Sequence, residues 1–252
     1  MALPRMKFGD FQGHALESLT ARVERAADQG LDLTRLQGSF YLKVKRAFDF
    51  VVSLFALMVF GLILPVLILI IKLDSPGPVF YSQERVGLNR RRARYEIDGQ
   101  DRRKVLQPGR PFRVFKLRTM STNAEASGPQ MAKVNDVRVT RFGKFLRRSR
   151  LDEVPQFLNV LRGEMSIVGP RPERMVFVRQ LEKEIPDYRD RLLVLPGITG
   201  LAQVINGYDD GIDSVRRKVE LDRQYIKTAG FRQDGSILLS TVSVVLKGEG
   251  AR

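Results

Sequence analysis

Asp152 and Glu153 stand side by side in RSRLDEVPQFLNVLRGEMSIVGPRPE, residues 148–173. Arg147, Arg148 and Arg150 crowd the pair from the N-terminal side, and Arg171 follows between Pro170 and Pro172. Two neighbouring carboxylates in a cationic setting suit the handling of a phosphate ester. An ionised carboxylate is a competent nucleophile toward phosphorus, and a second acid beside it can act as general base or supply oxygen to Mg²⁺. A guanidinium fork held in a rigid turn grips phosphate. The parts of a phosphoryl transfer are thus gathered in one stretch. The plainer reading is that the acids only cap a helix and the arginines pair on the surface.

These residues need elements to hold them. Leu151 to Gln156 reads as a helix start, with Asp, Glu and an early Pro in the first turn and Phe157, Leu158 and Leu161 supplying an apolar face. The acids then sit at the positive pole, where free N–H groups and the helix dipole keep a carboxylate ionised. Val168-Gly-Pro-Arg-Pro172 predicts a tight turn, and Leu195-Pro-Gly-Ile-Thr-Gly200 another, whose amides and Thr199 hydroxyl either meet an anion or merely connect elements. Arg141 to Arg148 segregates Phe142, Phe145 and Leu146 from Arg141, Lys144, Arg147 and Arg148, a helix for the headgroup plane or for a core with a solvated basic face.

Composition removes other chemistries. The chain has no cysteine and one histidine, His14, so thiolate nucleophiles, disulfides and Cys-ligated zinc are excluded, and a Ser-His-Asp triad or His-rich metal site would rest on one imidazole. The formal net charge of +15 calls for anionic partners. Arg85 to Arg118 holds twelve Lys/Arg against three acids, directly after an apolar stretch. That placement favours a membrane surface.

Phe50 to Ile71 is uncharged and mostly apolar, and as a helix its length would be about 33 Å, enough to span a bilayer. Lys43, Lys45 and Arg46 precede it while Lys72, Arg85 and Arg90 to Arg92 follow, so both flanks carry the cytoplasmic signature. Pro65 interrupts the run. Charge symmetry and proline leave two topologies: a re-entrant pair that turns near Pro65 and leaves on the entry face, or a span with a proline kink.

Three units follow: an amphipathic arm at 1–40 with helical spacing from His14 to Leu36, the membrane helix at 41–74, and a cytoplasmic domain at 75–252. Within the last, Val79 to Ser82 is strand-like, and Arg94 to Lys116, with Asp98-Gly99 and Pro108-Gly109, predicts a hairpin or basic flap. Ile237 to Leu246 is either a core helix or a second interfacial patch. The expected fold is α+β and mostly helical, with interfacial helices and a small hairpin.

Five segments in order, KRAFDFVVSLFALMVFGLILPVLILIIKLDSPGPVFYSQERVG, FRVFKLRTM, FGKFLRRSRLDEVPQFLNVLRGEMSIVGPRP, PGITGLAQV and VELDRQYI, resemble the bacterial sugar transferase family, the monotopic phosphoglycosyl transferases, from about Tyr41 to about Leu246. The resemblance implies transfer of a sugar-1-phosphate from a UDP-sugar to polyprenol (undecaprenyl) phosphate at the cytoplasmic face of the bacterial inner membrane, initiating polysaccharide or glycoconjugate assembly. By the same resemblance Asp152 is the nucleophile that expels UMP and carries the phosphosugar. Glu153 is its partner, which activates the lipid phosphate or belongs to the Mg²⁺ environment; Asp152 and Glu153 are the candidate Mg²⁺ ligands, and Lys116 is catalytic. Arg147, Arg118, Arg171, Pro170, Pro172, Thr199 and Gln203 fall at substrate-binding positions. Pro65 matches the break of a re-entrant helix, which favours re-entry over a span.

Departures from the pattern are Leu195 and Tyr208, where relatives carry basic residues, with Arg216 or Arg217 as basic side chains nearby, and an apparent basic insertion at 94–110. The chain reads as one of the family's small forms, and an oligomer is compatible with it. The rivals are a membrane-tethered basic protein that binds lipid or nucleic acid without turnover, and a single-span scaffold. No helix-turn-helix or RNA-binding aromatic motif supports nucleic acid as partner.

Overall fold

A computed structural model describes residues 39–89, 108–125, 128, 136–206 and 211–247. The N-terminal arm, most of the basic insertion and Tyr208 lie outside the described residues. Helix α1, Phe40–Asp74, begins at Ser39, whose hydroxyl caps Leu42 N–H, and runs as one helix through Pro65. The helix pair expected around Pro65 is therefore one continuous helix with the proline inside it. A proline inside a helix removes one backbone donor and crowds the carbonyl four residues earlier, which a tilt of the backbone absorbs without ending the helix.

Only a narrow stripe of α1 is buried: Asp49, Ser53, Phe60, Leu67 and Ile71, at helical spacing. Phe55, Met58, Leu62, Val66, Leu69 and Leu73 on the remaining surface are exposed. The helix is long and apolar enough to cross a membrane, and its most apolar window is only 17% buried, unlike the core helix of a soluble domain. Both ends are fastened to the rest of the protein. Near the start, Lys45 and Tyr41 reach Asp234, Arg46 donates to the carbonyls of Val160 and Leu161, and Asp49 accepts from Ser166 Oγ and Ile167 N–H. At the other end Asp74 accepts from Phe142 N–H, and Arg118 donates to carbonyls of Ser75 and Pro76.

After α1, strand β1 (Phe80–Val86) pairs antiparallel with β2 (Pro111–Leu117), Phe80 opposite Leu117 and Tyr81 opposite Lys116. The hairpin or flap expected over Arg94 to Lys116 lies mostly outside the described residues; its last stretch is β2, which pairs with β1 instead of with a strand inside that range. Helix α2 (Arg141–Arg148) leads through a 3-10 turn, Leu151–Gln156, into α3 (Phe157–Leu161). Strand β3 (Ser166–Val168) lies parallel to β4 (Gly197–Thr199), and between them come α4 (Met175–Glu184) and a second 3-10 segment, Pro186–Leu192. Helices α5 (Leu201–Ile205), α6 (Gly211–Thr228) and α7 (Phe231–Lys247) close the fold.

Three apolar clusters hold this together. One gathers Val160, Met165, Ile167, Leu201, Tyr225 and Ile237 beneath β3 and β4. A second packs Val178, Tyr188 and Val219 between α4 and α6. The third joins Phe60, Leu67 and Ile71 of α1 to Val79, Leu117 and Leu146, so the hairpin and α2 rest directly on the membrane helix. Of the two readings of α2, its Leu146 is core while Phe145 stays exposed. Helix α7 likewise buries Ile237, Ser240 and Ser243 and exposes Leu239, Val242 and Leu246.

Candidate active site

The turn that delivers the acids is strained. Arg150 has φ 58° and ψ 12°, the left-handed region that side chains with a Cβ disfavour, and among the described residues no other non-glycine has positive φ. This reversal separates the end of α2 from the 3-10 turn and directs Asp152 and Glu153 inward, where both are buried. The acids open a helical turn as the sequence suggests, although its first stretch is 3-10 rather than α.

The two carboxylates have opposite surroundings. Glu153 Oε1 accepts from Lys116 Nζ at 2.7 Å and from Arg171 Nη2 at 2.6 Å, and Oε2 lies 3.8 Å from Arg150 Nη1. Burial alone would raise its pKa, but Arg171, Lys116 and Arg150 outweigh burial and hold it well below the usual carboxylate range. Asp152 Oδ1 is buried without a hydrogen-bond partner among the described residues. Burial pushes Asp152 up to about 6; Lys116, Arg147 and Arg150 pull it down and the Glu153 charge pushes it further up. Near neutral pH it is therefore mostly ionised yet poorly solvated. Environments that drive two adjacent acids apart divide their roles.

Lys116 reaches Glu153 from β2, and its height is set by Asn159. That fully buried side chain accepts from Phe115 N–H at 3.2 Å and donates to Arg113 O at 2.7 Å, completing the free edge of β2 from α3. Burial lowers the Lys116 pKa, an effect opposed by the Glu153 charge. Arg147 is steered by Nε donation to Thr119 Oγ1 at 2.9 Å and adds its charge near Asp152.

Arg171 arrives on the Gly-Pro-Arg-Pro turn. Pro170 O accepts from Gly197 N–H and Pro172 O from Arg85 Nη1. A Cβ on Gly169 would come 2.4 Å from Leu195 O and one on Gly197 2.2 Å from Gly169 N, so only glycines let the two loops press backbone to backbone. The Pro-Gly-Ile-Thr-Gly segment thus packs against the arginine turn.

Asp152, Glu153, Lys116, Arg147, Arg150 and Arg171 thus converge. Three expected substrate contacts are committed elsewhere. Arg118 is buried and clasps the C-terminal end of α1, because the last carbonyls of a helix lack partners. Thr199 Oγ1 pairs with Thr241 Oγ1 of α7, and Gln203 Nε2 donates to Ile198 O. Arg216 and Arg217 are exposed on α6, Arg216 facing Asp213. Sequence reasoning missed Asn159, Arg85, Arg191, Lys218 and Asp222. A polar residue inside the apolar FLNVL and a Lys and Asp one helical turn apart in KVELD were the available signals. Hard carboxylate oxygens suit Mg²⁺, and the unpartnered Asp152 Oδ1 is open to it, whereas Glu153 is already surrounded by cations. Among the described residues no group of three or more His, Cys, Asp or Glu could hold a metal, so an ion here would need oxygens from substrate or water as well.

A family description, "bacterial sugar transferase", matches residues 40–248, from the first residue of α1 to just beyond α7. The chain belongs to the bacterial sugar transferase family. It is 40% identical over 237 residues to the UDP-N-acetylgalactosamine-undecaprenyl-phosphate N-acetylgalactosaminephosphotransferase of Aeromonas hydrophila, covering 94% of this chain and 52% of that protein. To the UDP-glucose:undecaprenyl-phosphate glucose-1-phosphate transferase of Caulobacter vibrioides it is 37% identical over 209 residues, 82% of this chain and 71% of the relative. To the exopolysaccharide production protein PSS of Rhizobium leguminosarum it is 37% identical over 216 residues, 83% and 98% of the two chains. This bacterial sugar transferase therefore spans about half the length of the Aeromonas relative and nearly all of the Rhizobium one. The match includes α1, so the membrane helix is part of the family unit rather than an attachment.

Proposed function

We propose that this bacterial sugar transferase moves a sugar-1-phosphate from a UDP-sugar to undecaprenyl phosphate, through a covalent intermediate on Asp152. The observation that carries the reading is Asp152 itself: a buried carboxylate oxygen without a partner, surrounded by Lys116, Arg147, Arg150 and Arg171. Leaving such a group unpaired costs on the order of 1–3 kcal/mol, a cost that catalysis explains and mere lipid tethering does not. The names of the Aeromonas and Caulobacter relatives support the donor and acceptor classes.

In the first step an Asp152 oxygen bonds to the β-phosphorus while the bond from that phosphorus to the bridging oxygen breaks, and UMP leaves with the bridging oxygen. In the second, a phosphate oxygen of the lipid attacks the same phosphorus and frees the Asp152 carboxylate. Glu153, held strongly acidic, is a poor proton acceptor. Its part is to collect Lys116 and Arg171 where phosphate arrives, so that these donors pass from carboxylate to phosphoryl oxygens. Bound Mg²⁺, held by Asp152 with Glu153 beside it, would supply charge neutralisation for the diphosphate.

The acceptor brings a phosphate at headgroup depth and a tail in the bilayer, while the donor is soluble. A site resting on α1 is placed for both. Because both ends of α1 are tied to the same domain, both stay on one face, the cytoplasmic face of the inner membrane, and the exposed apolar side of the unbroken helix dips into lipid.

Purified protein in nanodiscs with undecaprenyl phosphate, Mg²⁺ and a panel of UDP-sugars tests this. UMP release is expected with at least one donor, and labelled donor should leave a sugar phosphate on Asp152. Product formation at the normal rate by Asp152→Asn would end the covalent reading.

A further inference from the structure

Behind Arg171 lies a second, deeper charge cluster that the reaction does not touch. Arg191, 3% exposed, stands 2.9 Å from Asp222 Oδ2, itself 1% exposed, and also donates to Tyr188 OH and, through Nη2 at 2.9 Å, to the carbonyl of Arg171. One helical turn before Asp222, Lys218 donates to Glu173 Oε1 at 2.9 Å. Arg85 on β1 holds Pro172 O and lies 3.5 Å from Glu173 Oε2. Residues 171–173 are thus gripped from β1, from the 3-10 segment and from α6. Burying this many charges is expensive, and apolar packing would stabilise the fold at least as well.

We infer that Arg191, ion-paired to Asp222, is a positioning residue for Arg171: by holding the Arg171 carbonyl it fixes the turn from which that guanidinium reaches Glu153 and, on the reading proposed above, substrate phosphate. The geometry suits arginine and no other side chain. A single planar fork serves a carboxylate, a carbonyl and a phenol at once, whereas a lysine ammonium on a flexible stem cannot hold that planar arrangement. Asp222 keeps the buried cation charged and oriented, and Lys218 on the same face of α6 does the equivalent for the next-but-one residue of the turn.

The discriminating variant is the double substitution Arg191→Met with Asp222→Leu, which removes both charges together and leaves neither one buried alone. It is expected to melt within a few degrees of the parent, yet to lose roughly tenfold or more in kcat/KM for UMP release. Full activity in the folded double variant would overturn the inference. If that variant does not fold, a cycle of Arg191→Lys with Arg171→Ala decides. A residue acting only through Arg171 adds no further loss once Arg171 is gone, so additive losses would overturn it as well. A weakened but still measurable Arg171→Ala with an additive cycle removes this inference alone. A fully active Arg171→Ala removes it together with the assigned role of Arg171.

Discussion

Arg171 Nη2 meets Glu153 Oε1 at 2.6 Å, although one arrives on a loop between β3 and α4 and the other on the turn before α3. Lys116 of β2 occupies the same oxygen. One acid thereby draws together two cations from distant parts of the chain, while its neighbour Asp152 keeps an oxygen bare. On the reading proposed above, anchoring and reacting are split between adjacent residues.

That split fixes a pH dependence. Asp152 is raised to about 6, so its reactive ionised form is lost as pH falls through about 6, and initial rates of UMP release should show an acid limb there. The same shift governs stability. A folded pKa above the ordinary value means that ionisation costs stability above about 6, and that the cost vanishes below about 4, where folded and unfolded states are both protonated. Asp152→Asn should therefore melt higher than the parent at pH 7 to 8, by on the order of 1–3 kcal/mol, and the gain should shrink toward pH 4. Glu153, depressed, has the opposite sign: its stabilisation is present at neutral pH and lost in acid.

Arg118 separates holding the membrane helix from holding substrate. Its Nη1 and Nη2 donate to the carbonyls of Ile71, Ser75 and Pro76, while Nε has no partner among the described residues. Arg118→Ala should lower the melting temperature while leaving KM for the UDP-sugar within about twofold, as expected for a group that contributes no substrate binding. A KM rise of tenfold without a change in melting would return Arg118 to the substrate.

Metal removal has a readout apart from turnover. Chelation should abolish UMP release, and Mn²⁺ followed by its paramagnetic resonance should bind in the presence of a UDP-sugar. Asp152→Asn should weaken that binding by about tenfold or more, since the ion would lose a carboxylate oxygen that has no hydrogen-bond partner among the described residues.

The path of α1 can be read by labelling. The sequence has no cysteine, so single cysteines at Lys43 and Ser82 can be reacted with impermeant maleimide from either side of sealed vesicles. Both should label from the cytoplasmic side. Labelling from opposite sides would mean a span.

Much of this was legible beforehand. The Asp-Glu pair, the arginine turn and the apolar segment each depend on local chemistry, and local chemistry is written in short runs of residues. Pro65 gives no sign in the sequence of whether it ends a helix or is absorbed by a tilt of the backbone, and α1 is continuous there. Arg118, a basic residue in a basic motif, reads as a phosphate ligand, and its donation to the end of a helix far off in sequence leaves no local signal. Asn159 and the Arg191–Asp222 pair were invisible for the same reason: each works across a sequence separation that no spacing rule bridges.

Leu117 and Leu146 pack in one apolar cluster with Phe60, Leu67 and Ile71 of α1. Leu117 follows Lys116 and Leu146 precedes Arg147, so the two cations are bolted to the hydrocarbon-facing rod through their immediate neighbours. Lipid tension or a change of acyl length that tilts the rod carries the charges with it as one piece, altering how deep the phosphate must travel and leaving the spacing that receives it unchanged.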